Sequence, residues 1–244
     1  MKPKPLPQSH APENSRQLED DSHLVQIRAR DVSLQGNLEL PPAATGIVLF
    51  AHGSGSGRHS PRNRYVAHIL RRGGLGTFLI DLLTPEEEVV DMQTAHLRFD
   101  IPLLAGRLLD ATDWLTRQSI TQDHRIGYFG ASTGAGAAMM AAAERPSVVK
   151  ALVSRGGRPD LAGPALARLQ IPVLLIVGGE DVPVIELNQQ AMTQMTGEKK
   201  LEIIPGATHL FEEPGTLEVV ARLAQQWFQG YLHHDGPHRT DKAV

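Results

Sequence analysis

The stretch RIGYFGASTGAG, residues 125–136, decides how this chain folds. Its first half is typical of a strand buried on both faces, and the Ala-rich sequence after it predicts a helix that ends at Glu144. Between the two stands GASTG, a G-x-S-x-G pattern in which a Cβ at Gly130 or Gly134 would collide with neighbouring backbone. Ser132 therefore lies on a strand-to-helix turn of the kind called a nucleophile elbow, where the helix dipole and free N–H groups favour developing negative charge.

Apolar runs recur on both sides of this turn and alternate with helical patterns. Two short runs near the N-terminus, LVQIRAR and VSLQGNLEL, alternate polar and apolar residues and predict an antiparallel hairpin. Repeated strand–helix alternation predicts an α/β fold with a doubly wound, mostly parallel sheet after that hairpin. The expected strands are 24–30, 32–40, 47–53, 75–82, 125–130, 148–157, 171–179 and 200–206; the expected helices are 62–73, 100–118, the Ala-rich helix to 144, 183–196 and 215–230; and TPEEEVVDMQ (84–93) is expected to be an acidic loop.

The composition is that of one enzyme-sized domain. Of the 244 residues 41% are apolar, and we expect a single domain at 23–231 between a disordered lead-in, 1–22, and a disordered tail, 232–244. Because the chain has no Cys, disulfides, Cys-ligated zinc, Fe–S clusters and a thiolate nucleophile are excluded. Lys and Arg total 24 against 27 Asp and Glu, and the net charge of −3 argues against a nucleic-acid-binding protein.

Neither a signal peptide nor a membrane span is predicted. The N-terminal sequence MKPKPLPQSHAPENSRQLEDDS has no apolar segment, and no stretch reaches the roughly 18 apolar residues of a span. We therefore expect a cytoplasmic protein that does not bind membranes. His233, His234 and His238 form a tract that can bind metal, but we expect a solvated tail, with no metal and no organic cofactor.

Two further polar residues stand at strand ends, where ligands of such sheets bind. Asp181 follows the run IPVLLIVGGE, and His209 stands in PGATHLFEEP, after the last strand. Together with Ser132 they follow the order Ser…Asp…His, which predicts a nucleophile, an orienting acid and a general base. Alternatively, Asp181 could cap the following helix and His209 could bond its own turn, while Glu180 and Asp160 are rival acids.

The loop after the first buried strand supplies a candidate oxyanion hole. A nucleophilic serine needs two backbone N–H donors for the oxyanion, one from the next residue and one from this loop. We expect these donors to be the amides of Thr133 and of Ser54, in the Gly-rich loop HGSGSG (52–57). His52 is expected to brace the loop rather than to transfer protons.

The chain resembles the α/β-hydrolase family, most closely its dienelactone-hydrolase-like branch, in four motifs: HGSGSG, GASTG, the GGED turn and GATH. The resemblance covers about 24–230 and implies that Ser132 is the nucleophile, His209 the general base and Asp181 its orienting carboxylate. The resemblance implies a Cys nucleophile for true dienelactone hydrolases, but this chain has no Cys. It therefore implies a serine hydrolase of a small ester or thioester rather than lactone specificity. Lidded relatives carry a cap domain where this chain has only 159–170, so an open site is expected.

Arginine is the preferred cation of this chain, which has 18 Arg and 6 Lys. A guanidinium matches a carboxylate or a phosphate in a bidentate way that Lys does not. Two groups of Arg follow the first and fourth buried strands, at the sheet edge that carries Ser132, which suggests a substrate with an anionic group. Alternatively, these side chains pair with the acidic run 86–88. The candidate substrate-binding residues are Arg58, Arg62, Arg64, Arg155 and Arg158.

Two other classes of protein remain open. The G-x-G-x-G pattern at 53–57 and Asp81, at the end of the next strand, suggest an NAD(P)-dependent dehydrogenase. The dinucleotide pattern G-x-G-x-x-G, however, needs a Gly where Arg58 or Ser60 stands. A non-catalytic hydrolase-fold protein that binds a ligand would share the topology, and the joint presence of nucleophile, base and acid argues against it.

Overall fold

The computed structural model describes residues 23–233 as one sheet with helices on both faces. The strands are β1 His23–Ala29, β2 Val32–Glu39, β3 Gly46–Ala51, β4 Gly76–Ile80, β5 Arg125–Ala131, β6 Val149–Arg155, β7 Val173–Gly178 and β8 Lys199–Ile204; the helices are α1 Pro61–Arg72, α2 Pro85–Thr94, α3 Ile101–Leu115, α4 Thr133–Glu144, α5 Val182–Gln194 and α6 Thr216–Leu232. The strand order is β1-β2-β4-β3-β5-β6-β7-β8. The β1–β2 and β2–β4 pairs are antiparallel and the other pairs are parallel, which confirms the predicted doubly wound sheet with its N-terminal hairpin.

The described part of the chain begins at β1 and ends just after α6. The predicted lead-in, 1–22, and the tail from 234 onwards, with His234 and His238, lie outside the described residues. Leu232, which the sequence predicted to lie in the tail, is instead buried as the last residue of α6. No helix within residues 23–233 is long and apolar enough to cross a membrane.

The central strands are buried on both faces because helices cover both sides of the sheet. In β6, for example, Leu152 packs in the core shared with α3 and α4, whereas Val153 packs in the opposite core, shared with α1 and α6. Successive side chains of a strand point to opposite faces, so a strand between two helical layers is apolar at almost every position. This burial explains the continuous apolar runs in the sequence.

The segment 84–93, predicted to be a loop, forms α2, so this prediction was wrong. Thr84 accepts a hydrogen bond from the Glu87 N–H, and the Glu87 carboxylate accepts one from the Thr84 N–H, which together make a capping box. Pro85 at the first helical position and the acidic first turn also favour a helix start. Helix α2 buries only Asp91 and therefore shows no apolar stripe, which is why its sequence did not predict a helix.

The connection between β6 and β7 carries no cap domain. It consists of 3₁₀ turns over Pro159–Arg168 that pack against α4 and α5. The carboxyl edge of the sheet, where β5, β6 and β7 end, is therefore not covered by an insertion at this connection.

The turn between β5 and α4 brings backbone close to backbone at this edge. Ser132 adopts φ 50° and ψ −122°, a conformation that residues with a Cβ rarely hold. A Cβ at Gly130 would lie 2.4 Å from Ala135 Cα, and a Cβ at Gly134 would lie 2.4 Å from the carbonyl oxygen of Ala51. The sequence-based reason for the two glycines is therefore confirmed: only hydrogen fits at either end of the turn.

We expect Gly134→Ala to destabilise the fold by about 1–3 kcal/mol, because its Cβ meets rigid carbonyl oxygens that cannot rotate away. Chemical denaturation followed by circular dichroism measures this change. Gly230→Ala is the matched control, since a Cβ at Gly230 in α6 meets no atom within 4 Å. The control should be neutral or stabilising by up to about 1 kcal/mol. Equal stability of the two variants would contradict the close approach at the elbow.

Candidate active site

Three polar side chains from separate connections meet at the carboxyl edge of the sheet: Ser132 after β5, Asp181 after β7 and His209 after β8. The His209 ring joins the other two, because its Nδ1 lies 2.6 Å from Asp181 Oδ2 and its Nε2 lies 3.3 Å from Ser132 Oγ. An ionised carboxylate only accepts, so Nδ1 carries the proton and Nε2 presents a lone pair to the Ser132 hydroxyl. The structure thus brings together the three residues predicted to be nucleophile, acid and base.

Asp181 occupies the N-cap position of α5, yet its side chain makes no capping hydrogen bond. The carboxylate bonds His209 instead, which excludes the alternative role as a helix cap. Of the two rival acids, Glu180 is exposed to solvent. Asp160 accepts two hydrogen bonds from the Arg158 guanidinium, at 2.7 and 2.8 Å. The acid that orients the imidazole is therefore Asp181 in this geometry.

Contacts on both sides of His209 hold its loop in place. Before it, Thr208 donates from its N–H and its hydroxyl to the Glu213 carboxylate, at 3.1 and 2.6 Å, and these bonds lower the pKa of Glu213. After it, Phe211 adopts a φ of 56° and buries its ring in the core of α1 and α6. The imidazole is thus positioned by its loop as well as by Asp181.

The two predicted oxyanion donors lie side by side, but one of them is engaged. Thr133 is the first residue of α4, where an N–H has no partner within the helix. The Ser54 N–H donates to Thr133 Oγ1 at 3.1 Å, and the two hydroxyls are 3.0 Å apart. A Cβ at Gly53 would lie 3.1 Å from the Cβ of Ser132. The Thr133 hydroxyl therefore ties the Gly-rich loop to the elbow.

His52 links the ends of β3 and β4. Its Nε2 accepts a hydrogen bond from the Leu82 N–H at 2.8 Å, and its Nδ1 lies 3.0 Å from the Gly53 carbonyl oxygen. Because a carbonyl only accepts, Nδ1 carries the proton and the ring is neutral. Burial lowers the pKa of His52, against the opposing effects of the Gly53 carbonyl and the Asp81 charge. His52 thus braces the loop in a fixed tautomer, as the sequence predicted.

A cavity of about 740 Å³ opens beside the elbow, a size typical of small-molecule sites. The Gly-rich loop and Thr133 line one side of it, and α2 lines the other with Val89 and Met92. Glu88 also lines the cavity, and burial, reinforced by the Asp81 charge, raises its pKa. The side of the cavity that α2 lines was not predicted from the sequence. The capping-box residues at the start of α2 were the signal that could have revealed it.

Neither a metal-binding cluster nor a free Asp81 carboxylate is present among the described residues. Residues 23–233 contain no group of three or more His, Asp or Glu side chains that could hold a metal ion. Asp81, the ribose-binding acid of the dehydrogenase alternative, accepts from the Arg58 N–H at 2.6 Å and from the Arg58 guanidinium. A Cβ at Gly57 would lie 2.7 Å from the same carboxylate. Asp81 therefore fixes the Gly-rich loop.

The five candidate arginines differ in their partners. Arg58 and Arg158 are paired with Asp81 and Asp160, as described above. Arg62 and Arg64 lie in the first turns of α1 rather than in the loop before it, and Arg64 is exposed. Arg62 pairs with the exposed Glu212 at 3.0 Å. Arg155, by contrast, is buried at the end of β6, and its Nε and Nη1 have no hydrogen-bond partner in the described part of the chain.

The fold and this site together define an α/β hydrolase: an elbow serine follows a central parallel strand, and an acid and a histidine follow the last two strands. Within the α/β hydrolases, residues 74–231 match the model of the dienelactone hydrolase family. The chain belongs to this family. The predicted resemblance is therefore confirmed.

Similar proteins agree on the fold over most of the chain. A crystal structure of a dienelactone hydrolase from Anabaena variabilis is 61% identical with a TM-score of 0.85, and the match covers 87% of this chain and 98% of that one. Est1E from Butyrivibrio proteoclasticus shares the fold at 18% identity, with a TM-score of 0.69 over 84% of this chain and 97% of its own.

A curated Mycobacterium tuberculosis protein carries the name "Putative phosphoribosyl transferase" and is 57% identical over 213 residues. The match covers 87% of this chain and 47% of that protein. This chain therefore spans about half the length of the curated relative it matches.

The stability of the protein should depend on pH through His52. The folded pKa is lowered from the usual 6.5, so the unfolded chain binds a proton near that pH while the folded chain does not. Below pH 6.5 the wild type should therefore lose up to about 1.4 kcal/mol of unfolding free energy per pH unit. We expect the stability advantage of the wild type over His52→Gln to narrow between about pH 7.5 and 5.5 in urea titrations. An advantage that does not change with pH would show that His52 is not held neutral.

Proposed function

We propose that this chain is a serine hydrolase that cleaves small esters or thioesters through an acyl-enzyme intermediate. One observation carries the proposal: the His209 imidazole lies 2.6 Å from Asp181 Oδ2 and 3.3 Å from Ser132 Oγ. A serine hydroxyl needs a base to become a nucleophile, and the base needs an acid that fixes its tautomer. Membership of the dienelactone hydrolase family supports hydrolytic chemistry.

In the proposed reaction, His209 Nε2 takes the hydroxyl proton of Ser132 as the oxygen attacks the carbonyl carbon of the substrate. Asp181 stabilises the imidazolium that forms. The tetrahedral intermediate collapses, the bond to the leaving group breaks, and Nε2 returns the proton to the leaving alcohol or thiol. A water molecule, deprotonated by the same nitrogen, then attacks the acyl-enzyme, and the proton passes back to Ser132 as the acid is released.

The oxyanion of each intermediate is assigned to two amides. The Thr133 N–H points out of the first turn of α4, where the helix dipole also favours negative charge. The Ser54 N–H is the second donor, and it turns from Thr133 Oγ1 to the substrate oxygen as the intermediate forms. The Thr133 hydroxyl thus gives this amide a partner before substrate binds and keeps the Gly-rich loop next to the elbow.

A non-catalytic protein with the same fold is the competing function. The backbone of Ser132 argues against it, because a positive φ at a residue with a Cβ is strained and such strain concentrates at functional sites. The name of the M. tuberculosis relative describes a transferase, but this chain matches only 47% of that protein. The name therefore does not favour a second reaction for this chain.

Replacing the nucleophile tests the proposal directly. Ser132→Ala should keep the fold and lower kcat/KM for a p-nitrophenyl ester on the order of 10⁴-fold, because no other group supplies the attacking oxygen. A fluorophosphonate should label the wild type at Ser132 and leave the variant unlabelled. Ser147→Ala, at an exposed position after α4, is the matched control and should keep both activity and labelling. An active Ser132→Ala protein would contradict the assignment.

The orienting acid is tested by two asparagine variants. Asp181→Asn keeps the shape of the side chain but allows the wrong His209 tautomer, so kcat should fall about 10³–10⁴-fold. Asp160→Asn should change kcat little, because the Asp160 carboxylate bonds Arg158 and not His209. Steady-state kinetics on both variants decide between the two acids. The reverse result would place the orienting acid after β6 rather than after β7.

A further inference from the structure

The Arg155 guanidinium is a buried charge without a partner among residues 23–233. The residue is 8% exposed, and its Nε and Nη1 atoms are buried without a hydrogen bond. Burial, together with the nearby charge of Arg62, lowers the pKa of Arg155 to about 10, so the group stays protonated at neutral pH. A buried cation normally needs a carboxylate or several acceptors to offset its lost hydration. The neighbourhood of Arg155 instead adds a second cation.

That second cation is incompletely paired as well. Arg62 reaches Glu212 with Nη1 at 3.0 Å, but its Nε is buried without a partner. Glu212 is 63% exposed, so solvent screens its charge and the ion pair offsets little of the local positive potential. Two guanidinium groups therefore stand close together, and three of their nitrogen atoms, Arg155 Nε and Nη1 and Arg62 Nε, have no hydrogen-bond partner among the described residues. This arrangement suits a planar or tetrahedral oxyanion.

The pair lies next to the proposed catalytic residues. The Arg155 carbonyl oxygen accepts the Ser132 N–H at 3.2 Å. A Cβ on Gly156, the next residue, would lie 3.5 Å from His209 Nδ1. Glu212, the partner of Arg62, follows His209 by three residues. The backbone of Arg155 thus adjoins the site where an ester would be cleaved, and Arg62 lines the cavity beside the elbow.

We infer that Arg155, assisted by Arg62, binds an anionic group, a carboxylate or a phosphate, of the substrate that Ser132 attacks. This inference rests on the proposed hydrolase function and names the substrate class. It also reduces the five candidate substrate-binding arginines predicted from the sequence to Arg155 and Arg62. Arg58 and Arg158 already bind carboxylates of this chain, and Arg64 is exposed on α1.

Anion binding can be measured without catalysis. Ser132→Ala protein is titrated with sodium phosphate and, separately, with sodium acetate at constant ionic strength, and the Tm is recorded. At least one anion should raise the Tm, and the effective one shows whether the site takes phosphate or carboxylate. The double variant Ser132→Ala/Arg155→Met should show no rise in Tm with the anion. Its Tm without anion should not be lowered, because Met keeps an apolar stem and removes an unpaired buried charge.

Two further variants keep this test decisive. Arg62→Met, at a partly exposed position, should reduce the rise even if Arg155→Met folds poorly. Arg222→Met, at an exposed position on α6, controls for net charge and should keep the full rise. No rise with either anion, or a rise that survives both Arg155→Met and Arg62→Met, would overturn the inference.

Activity then connects the site to the substrate. A p-nitrophenyl ester whose acyl chain carries the effective anionic group is compared with its neutral isostere at low salt. The kcat/KM ratio should favour the charged ester by roughly 10- to 100-fold, shrink as NaCl is added, and fall to about one in Arg155→Met. A ratio near one in the wild type would contradict the inference while leaving the hydrolase proposal intact. If neither ester is cleaved, the hydrolase proposal fails, and the Tm titration still decides whether the anion site exists.

Discussion

The site depends on the backbone conformation at Ser132, where φ is 50° and ψ is −122°. Such a conformation costs on the order of 1–3 kcal/mol, and it persists because the surrounding structure allows no alternative. Gly130 and Gly134 let β5 and α4 approach so closely that the chain between them must turn sharply. The turn raises the Ser132 side chain at the edge of the sheet and leaves the Thr133 N–H free of the helix ladder. One constrained residue therefore positions both the hydroxyl that is proposed to attack and the N–H that is proposed to bind the oxyanion.

The charged groups around this turn divide into two kinds. Those with partners hold loops in place: Asp181 orients His209, and Asp81 anchors the Gly-rich loop through Arg58. Arg155 has no such partner among the described residues, although it is only 8% exposed. A buried cation without a partner destabilises a fold, which supports the proposal that Arg155 binds an anionic ligand. The protein thus combines a rigid arrangement of paired charges with one buried charge for which a ligand is proposed.

Much of this arrangement could be predicted because its signals are local. The strands of the central sheet are apolar on both faces, and residues such as Asp181 and His209 stand directly after them. Helix α2 escaped prediction because helices are recognised by an apolar stripe, and α2 buries only Asp91. Its start could have been recognised from the capping box, which is also a local signal. Because α2 was not predicted, the wall that it adds to the cavity was not predicted either.

The strand–helix alternation, the elbow and the order of the three polar strand ends all follow from the amino-acid sequence alone. These features depend on the periodicity of apolar residues and on the small size of glycine, and both can be read from short stretches of sequence. Only the tertiary structure decided which groups are partners. His209 and Ser132 are 77 residues apart, yet their side chains lie 3.3 Å from each other. The same holds for the arginines, which look alike in sequence. Whether a guanidinium meets a carboxylate, solvent or nothing depends on elements that packing brings together from distant parts of the chain.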